Sequence, residues 1–314
     1  VAPAAILCTG AAAQDYPSRT LRMVVPFAPG GASDLVARIL QPRFTELLKQ
    51  QVVVDNRSGA AGNIGVEVAA KANPDGYTIL LGNVGTMAIN ANIFTKFPVK
   101  PLADLMPVTQ VVDVAGSLVV HPALPAKSVK ELIAHMKANP GKLNYGSPAP
   151  SSANTLEMHM FMLATGTQAQ QVNYKGGAGP AMIGLLGNEV QVMFTTFSSS
   201  VSHVKTGRAR ILAFCAEKRH PNFPDIASTG EAGLKGYDGG TWFSVVTRAG
   251  TPPAIVDALN QEIITALATQ DLKERFTAIG FDIRTSTPNE FARFIRDDMA
   301  RVAKVIKSSG IKAE

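Results

Sequence analysis

Between Leu21 and Asn83 the chain alternates short β-branched runs with segments of helical periodicity, and this alternation restricts it to strands laid parallel and joined by helices. Leu21 to Phe27 reads as a strand that breaks at Pro29-Gly30-Gly31. A helix then runs from Ser33 to Lys49, with Leu35, Val36, Ile39, Leu40, Phe44, Leu47 and Leu48 on one broad face. Pro42 lacks the N–H that would bond the Arg38 carbonyl, so a kink is expected there. Gln51 to Asp55 is the next strand, followed by the loop Asn56 to Asn63 and a helix from about Ile64 to Lys71. Asn73-Pro74-Asp75-Gly76 stops that helix, and Tyr77 to Leu81 is a third strand ending in Gly82-Asn83.

At 314 residues the chain exceeds the commonest size of a single core, and two domains are expected. Apolar residues at 46% and charged residues at 17% supply a core and exclude a disordered chain. A second set of strands is read at Val108 to Val120, Leu143 to Tyr145, Gln171 to Tyr174, Glu189 to Phe194 and Arg210 to Ala216. Thr241 to Thr247 is a strand before a helical tail at Pro252 to Thr269, Leu272 to Ala278 and Pro288 to Ser308. The expected fold is α/β with two lobes, 15–110 plus 241–314 and 111–240, each a mainly parallel sheet flanked by helices. The chain crosses between them near Val108 to Val120 and returns near Tyr237 to Val246, and two crossings make a hinge.

Three strand-to-helix loops carry the chemistry. In the first, Pro29, Gly30 and Gly31 let backbone approach a small anion while the following helix aims unpaired N–H groups at it. The same residues also serve an ordinary β–α turn. The second, Asn144 to Asn154, brings Ser147, Ser151 and Ser152 to a helix start, enough for a carboxylate or for a plain N-cap at Ser151 or Ser152. The third, Tyr174-Lys175-Gly176-Gly177-Ala178-Gly179-Pro180, is not a dinucleotide fingerprint, because the third glycine of that pattern falls at Met182. No Gly-Lys-Ser/Thr phosphate loop occurs, and no nucleotide cofactor is expected. Neither of the first two loops contains an arginine, and only Lys175 adjoins the third.

Catalytic and metal patterns are weak. The five histidines have no metal-ligand spacing, no Cys-x-x-Cys or Gly-x-Ser-x-Gly occurs, and Ser202-x-x-Lys205 is expected by chance. Asp34 is either a base or a complement to the helix dipole. No metal and no enzyme are expected. The net charge of +6 is scattered and aromatics are only 6%, which argues against nucleic acid. Cys215 reads as a small hydrophobe in a buried strand. Ala4 to Gln14, with Cys8, looks like the tail of a signal peptide cleaved near Ala13, although no basic segment precedes it in this sequence. No other segment offers about eighteen consecutive apolar residues, so no membrane span is expected in the mature protein.

Taken together, Tyr16-Pro-Ser-Arg, Val25-Pro-Phe-Ala-Pro-Gly-Gly-Ala-Ser-Asp34, Val54-Asp-Asn-Arg-Ser-Gly-Ala-Ala-Gly-Asn-Ile-Gly65, Pro74-Asp-Gly-Tyr-Thr78, Tyr174-Lys-Gly-Gly177 and Thr229-Gly-Glu-Ala-Gly233 resemble the Bug family of periplasmic solute receptors. These are the extracytoplasmic components of tripartite tricarboxylate transporters, and the resemblance runs from about Tyr16 to Ser308. It implies a type II-like clamshell closing on a small carboxylate held by backbone, hydroxyls and bridging water. Phe27, Pro29, Gly30, Gly31 and Ala32 are thereby placed on one lobe, and Ser147, Ser151, Ser152, Lys175, Gly176 and Gly177 on the other. Asn83 and Thr86 are placed facing the cleft, with Arg57 and Asn63 near it. The chain departs from the family where glycines usually stand near Ala149 and Ser151 and a histidine near Thr155, which implies a pocket of different size or shape.

The implied protein is periplasmic and monomeric, takes no cofactor, and delivers its solute to membrane permease subunits. A di- or tricarboxylate, an acidic amino acid or an aromatic carboxylate all fit that implication. The alternatives are a receptor that presents its ligand to a membrane sensor, and an enzyme acting in its cleft.

Overall fold

The computed structural model describes residues 16–309 except Thr95, Pro150, Ser151, Lys175, Gly176, Gly236 and Asp238. The expected leader segment, Cys8 and three of the expected site residues, Ser151, Lys175 and Gly176, therefore lie outside the described residues.

The first sheet grows from the β–α alternation. Strand β1 (Leu21–Val25) leads to α1 (Ala32–Leu48), β2 (Val52–Asn56), α2 (Asn63–Ala70) and β3 (Thr78–Asn83). β1 lies between β2 and β3 and is parallel to both, each connection crossing over through a helix. Helix α1 continues past Pro42 to Leu48, where Lys49 in the left-handed conformation ends it. The sheet is buried on both faces, because Met23, Val25 and Ile79 pack with α1 while Val24 and Leu80 pack on the opposite side. That double burial explains why these strands read as continuous apolar runs.

A short π-helix (Gly85–Ile89), α3 (Asn90–Ile93) and α4 (Pro101–Asp104) lead into the long strand β4 (Leu105–Val120). Its first part, as far as Ala115, pairs with β9 (Gly240–Arg248) in the first sheet. From Gly116 to Val120 it pairs instead with β7 (Val192–Thr196) in a second sheet. There α5 (Val129–Ala138), β5 (Asn144–Ser147), α6 (Ala153–Thr165), β6 (Gln170–Asn173) and α7 (Ala178–Leu186) precede β7, and α8 (Phe197–Lys205) and β8 (Arg210–Phe214) follow it. β5 is parallel to β6 and β7, and β8 pairs antiparallel with β4. The tail adds α9 (Pro253–Leu267), α10 (Gln270–Ala278), β10 (Phe281–Ile283) and α11 (Pro288–Ser309).

Both sheets are mixed, where mainly parallel sheets were expected. The strands of the β–α units run parallel, but β4 carries the chain out of the first sheet and β9 brings it back beside β4, so the pair is antiparallel. β10, unforeseen from sequence, adds a second antiparallel partner to β4 in the first sheet through Phe281 and Val114.

At the switch between sheets the chain is packed too closely for side chains. The Gly116 N–H donates to the Gly239 carbonyl at 3.2 Å. A Cβ on Gly116 would collide with the Glu157 carboxylate of α6, and one on Gly239 would approach the same carboxylate at 3.1 Å. Glycine is thus required where the two crossing segments lie side by side.

Candidate functional site

The registers place the loops after the parallel strands at one place in the molecule. Asn83, the last residue of β3, is level with Phe243, which is level with Val112 on β4. Thr196, the last residue of β7, is level with Gly116 on the same strand. The carboxyl ends of β1–β3 and of β5–β7 therefore both open toward the switch near Ala115 and Gly116. In open α/β sheets, ligands bind in the crevice outside such strand ends.

On the first sheet, the rim is shaped by backbone. Gly30 has φ +88°, a left-handed conformation that penalises any side chain, and Gly31 caps α1 without a side-chain hydrogen bond. Pro29, Gly30 and Gly31 are exposed, and Phe27 and Ala32 are half-buried. A Cβ on Gly31 would meet nothing nearer than the Ala28 carbonyl at 3.9 Å, so this glycine leaves open space beside the first-turn N–H groups.

Asp34 holds the loop in shape. It is 4% exposed, accepts from the Gly30 N–H at 3.0 Å and Arg38 Nε at 2.9 Å on one oxygen, and accepts from Asn56 Nδ2 at 3.1 Å on the other. The same Asn56 amide donates to the Phe27 carbonyl at 3.0 Å. Burial alone would raise the carboxyl pKa, but the hydrogen bonds from Arg38, Gly30 and Asn56 and the Arg38 charge outweigh it and hold the group below the usual range. Its role here is that of a clamp between β1, α1 and β2.

The loop after β2 packs beneath this one. Gly59, Ala60, Ala61 and Gly62 all have positive φ, an uncommon run in which the two alanines are strained. A Cβ on Gly62 would meet Thr86 Cγ2 at 2.8 Å and Phe27 Cζ at 3.2 Å, so all three loops of this rim touch. Asn90 Nδ2 secures the run by donating to the Ala61 carbonyl at 3.0 Å. Nearby, Arg57 donates to Asp55 at 2.9 Å and the buried Asn63 side chain accepts from Asn90. Asn83 Oδ1 accepts the Thr86 N–H at 3.0 Å, and the Thr86 hydroxyl returns a bond to the Asn83 carbonyl at 3.1 Å. Thr86 is fully buried, which places it in the floor of this rim, with Asn83 partly exposed above it.

The rim of the second sheet is organised by hydroxyls. Ser152 caps α6 by accepting the Thr155 N–H at 3.1 Å. The Thr155 hydroxyl donates to the Ala149 carbonyl at 2.7 Å and also lies 2.7 Å from Ser147 Oγ and 2.9 Å from Ser152 Oγ. Gln171 Nε2 donates to Ser147 Oγ at 3.2 Å. Ser147 and Thr155 are fully buried, whereas Ser152 is half-buried. Behind them Tyr145 donates to Gln171 Oε1 at 2.6 Å and bonds His159 at 3.0 Å, and burial lowers the His159 pKa. Gly177 caps α7 at φ +97° without a side-chain bond, and the Tyr174 N–H ties that loop to the Ser147 carbonyl at 2.9 Å.

Sequence reasoning found the loops but missed Asn56, Gly62, Thr155 and Gln171 as the residues that fix them. Only the Ser152-x-x-Thr155 spacing, which resembles a capping box, signalled any of the four. A crevice of about 390 Å³ beside His159, Met162 and Gln170 lies at the start of β6, away from either rim. Among the described residues no cluster of His, Cys, Asp and Glu suits a metal, and no helix is long and apolar enough to cross a membrane.

Residues 36–311 match the model of the tripartite tricarboxylate transporter family receptor. Protein BugT of Bordetella pertussis is 37% identical over 301 residues, covering 96% of this chain and 92% of that relative. A solved structure described as R. palustris Rpa4515 with adipate superposes with a TM-score of 0.91 at 33% identity, over 96% of this chain and 100% of that one. MatC from Rhodopseudomonas palustris with bound malate gives a TM-score of 0.85 at 28% identity, over 93% and 100%. With a family match over residues 36–311 and a relative 37% identical across 96% of this chain, the chain belongs to the tripartite tricarboxylate transporter receptor family.

Proposed function

We propose that this receptor captures a small carboxylate in the periplasm between the two rims and hands it to the permease subunits of a tripartite transporter. The observation that carries the reading is the convergence of both sets of strand ends on one switch point, with the starts of α1 and α7 left uncapped by side chains. Unpaired N–H groups at helix starts attract carboxylate without requiring a positive side chain. The relatives seen with adipate and with malate support a ligand of that class.

In this reading Pro29, Gly30, Gly31 and Ala32 receive one end of the solute, with Phe27, Asn83 and Thr86 forming the floor behind them. Ser152 and Gly177 receive the other end, backed by Ser147, and Ser151, Lys175 and Gly176 complete that side. Two lobes close about the crossing segments, the division of β4 lying at Ala115/Gly116, five residues beyond the boundary after residue 110 read from sequence. The receptor is exported with residues 1–14 as the remnant of its leader, and it acts as a monomer.

Mass spectrometry of small molecules released by denaturing protein purified from its periplasm tests the reading. A carboxylate recovered in stoichiometric amount, with N-terminal sequencing that begins near Ala13, just past the leader remnant, is the expected result. A retained solute without a carboxylate would overturn the ligand class, and an intact Val1 on exported protein would overturn the cleavage.

A further inference from the structure

On the second rim, three hydrogen-bond contacts meet at Thr155 Oγ1 and constrain one another's protons. The Ala149 carbonyl has no proton, so its 2.7 Å contact with Thr155 Oγ1 takes the one proton that Thr155 owns. Ser147 Oγ and Ser152 Oγ, at 2.7 Å and 2.9 Å from the same oxygen, must then be the donors in those contacts. Thr155 accepts both through its two lone pairs. Each serine also accepts one bond, Ser147 from Gln171 Nε2 and Ser152 from the Thr155 N–H. Both serine protons point inward, and what Ser152 has left among the described residues is a lone pair. Ser147 is fully buried and Ser152 is only half-buried, so Ser152 is the hydroxyl that meets a solute.

This arrangement reverses the donor role expected of these serines. An ionised carboxylate offers only acceptors, and a carboxylate oxygen set against the Ser152 lone pair is repelled. We infer that Thr155 is a positioning residue that turns Ser152 into an acceptor, so that the receptor selects carboxylates carrying a hydroxyl or ammonium donor over their unsubstituted counterparts. The inference rests on the carboxylate-receptor reading above and adds the substituent beside the carboxylate. The charge itself falls to backbone, since the Ala153 and Asn154 N–H groups in the first turn of α6 have no partner among the described residues. Donor and anion thus meet different groups one turn apart. A group left unpaired opposite a buried polar partner loses more than a mere contact, which is why a site built this way discriminates.

Calorimetric titration with two matched pairs tests the inference: succinate against malate, and adipate against 2-hydroxyadipate. The wild type is expected to prefer a hydroxylated member by about tenfold, the worth of one well-made hydrogen bond. In Ser152→Ala that ratio collapses toward one. Thr155→Val releases the Ser152 proton to rotate outward, so the ratio collapses there too, while Thr155→Ser keeps the hydroxyl and restores it. A purely structural role for Thr155 would lower both members of a pair together and leave the ratio alone. Equal or tighter binding of the unsubstituted acids by the wild type, or a ratio untouched by Ser152→Ala, overturns the inference while the carboxylate reading stands. A protein that binds none of the four acids overturns that reading and this inference with it.

Discussion

The two rims that face the switch in β4 are built by opposite means. On the first sheet, the rim is made by leaving side chains out: Gly30 takes a backbone conformation that excludes one, Gly31 leaves a gap, and Gly62 lets the loops beneath touch. On the second, the loop keeps its side chains and fixes their protons through Thr155. A rim of bare backbone discriminates by shape and is broken by bulk, whereas a rim of oriented hydroxyls discriminates by polarity and is broken by removing one atom. On the reading proposed above, the first rim asks whether a carboxylate fits and the second asks what else the solute carries.

The largest expected effect comes from adding bulk to the first rim. Gly31→Val places a branched side chain where only the Ala28 carbonyl lies within reach, so the fold tolerates it and the ligand does not. Binding should weaken by on the order of 100-fold or more, equivalent to about 3 kcal/mol, with an unchanged melting transition. Normal affinity in a folded Gly31→Val protein would reduce this loop to an ordinary turn.

Next in size is the clamp beneath that rim. Asp34→Asn removes the charge that Gly30, Arg38 and Asn56 share and should destabilise the fold by about 2 kcal/mol near neutral pH in urea unfolding. The folded carboxyl binds its proton less tightly than the unfolded one, so its contribution is present above about pH 4 and is lost as pH falls through the lower folded value. The stability gap between wild type and variant should therefore close on acidification. A gap independent of pH would mean that Asp34 holds the loop without its charge.

The second rim should show a smaller structural effect. Ser152→Ala removes the cap of α6 and should cost about 1 kcal/mol of stability, with its larger consequence in selectivity. Smallest of all is the response to salt. With helix starts supplying the attraction over short, partly desolvated distances, affinity should fall by less than about threefold between low and high ionic strength, and Lys175→Ala should change it little. A steep salt slope abolished by Lys175→Ala would replace this picture with a direct ion pair.

Much of the first rim was legible because its information is local. Pro29-Gly30-Gly31 after an apolar run and before a 3.6-residue pattern announces a strand, a bare loop and a helix start in adjacent residues. The second rim was legible only as a place. Ser147 and Ser152 stood out as hydroxyls, but which way their protons point depends on Thr155 and on Gln171 from the neighbouring strand, and no spacing reveals that. Ala60 and Ala61 carry no sign of positive φ, because alanine does not favour it and packing imposes it through Asn90. β10 is too short for periodicity and exists by pairing with β4, a contact between residues far apart in the chain. The antiparallel crossing of β4 and β9 escaped for the same reason: direction in a sheet is set by where the chain has to return, not by the residues of either strand.

The central claim is that two rims of backbone donors recognise an anion at the switch in β4. Parallel calorimetric titrations of the wild type with succinate, malate, adipate and the corresponding uncharged diamides test it most directly. The account predicts saturable binding of at least one acid and none of its diamide, because the helix starts of α1, α6 and α7 complement negative charge. A diamide that binds as tightly as its acid, or an absence of binding by all three acids, would contradict it.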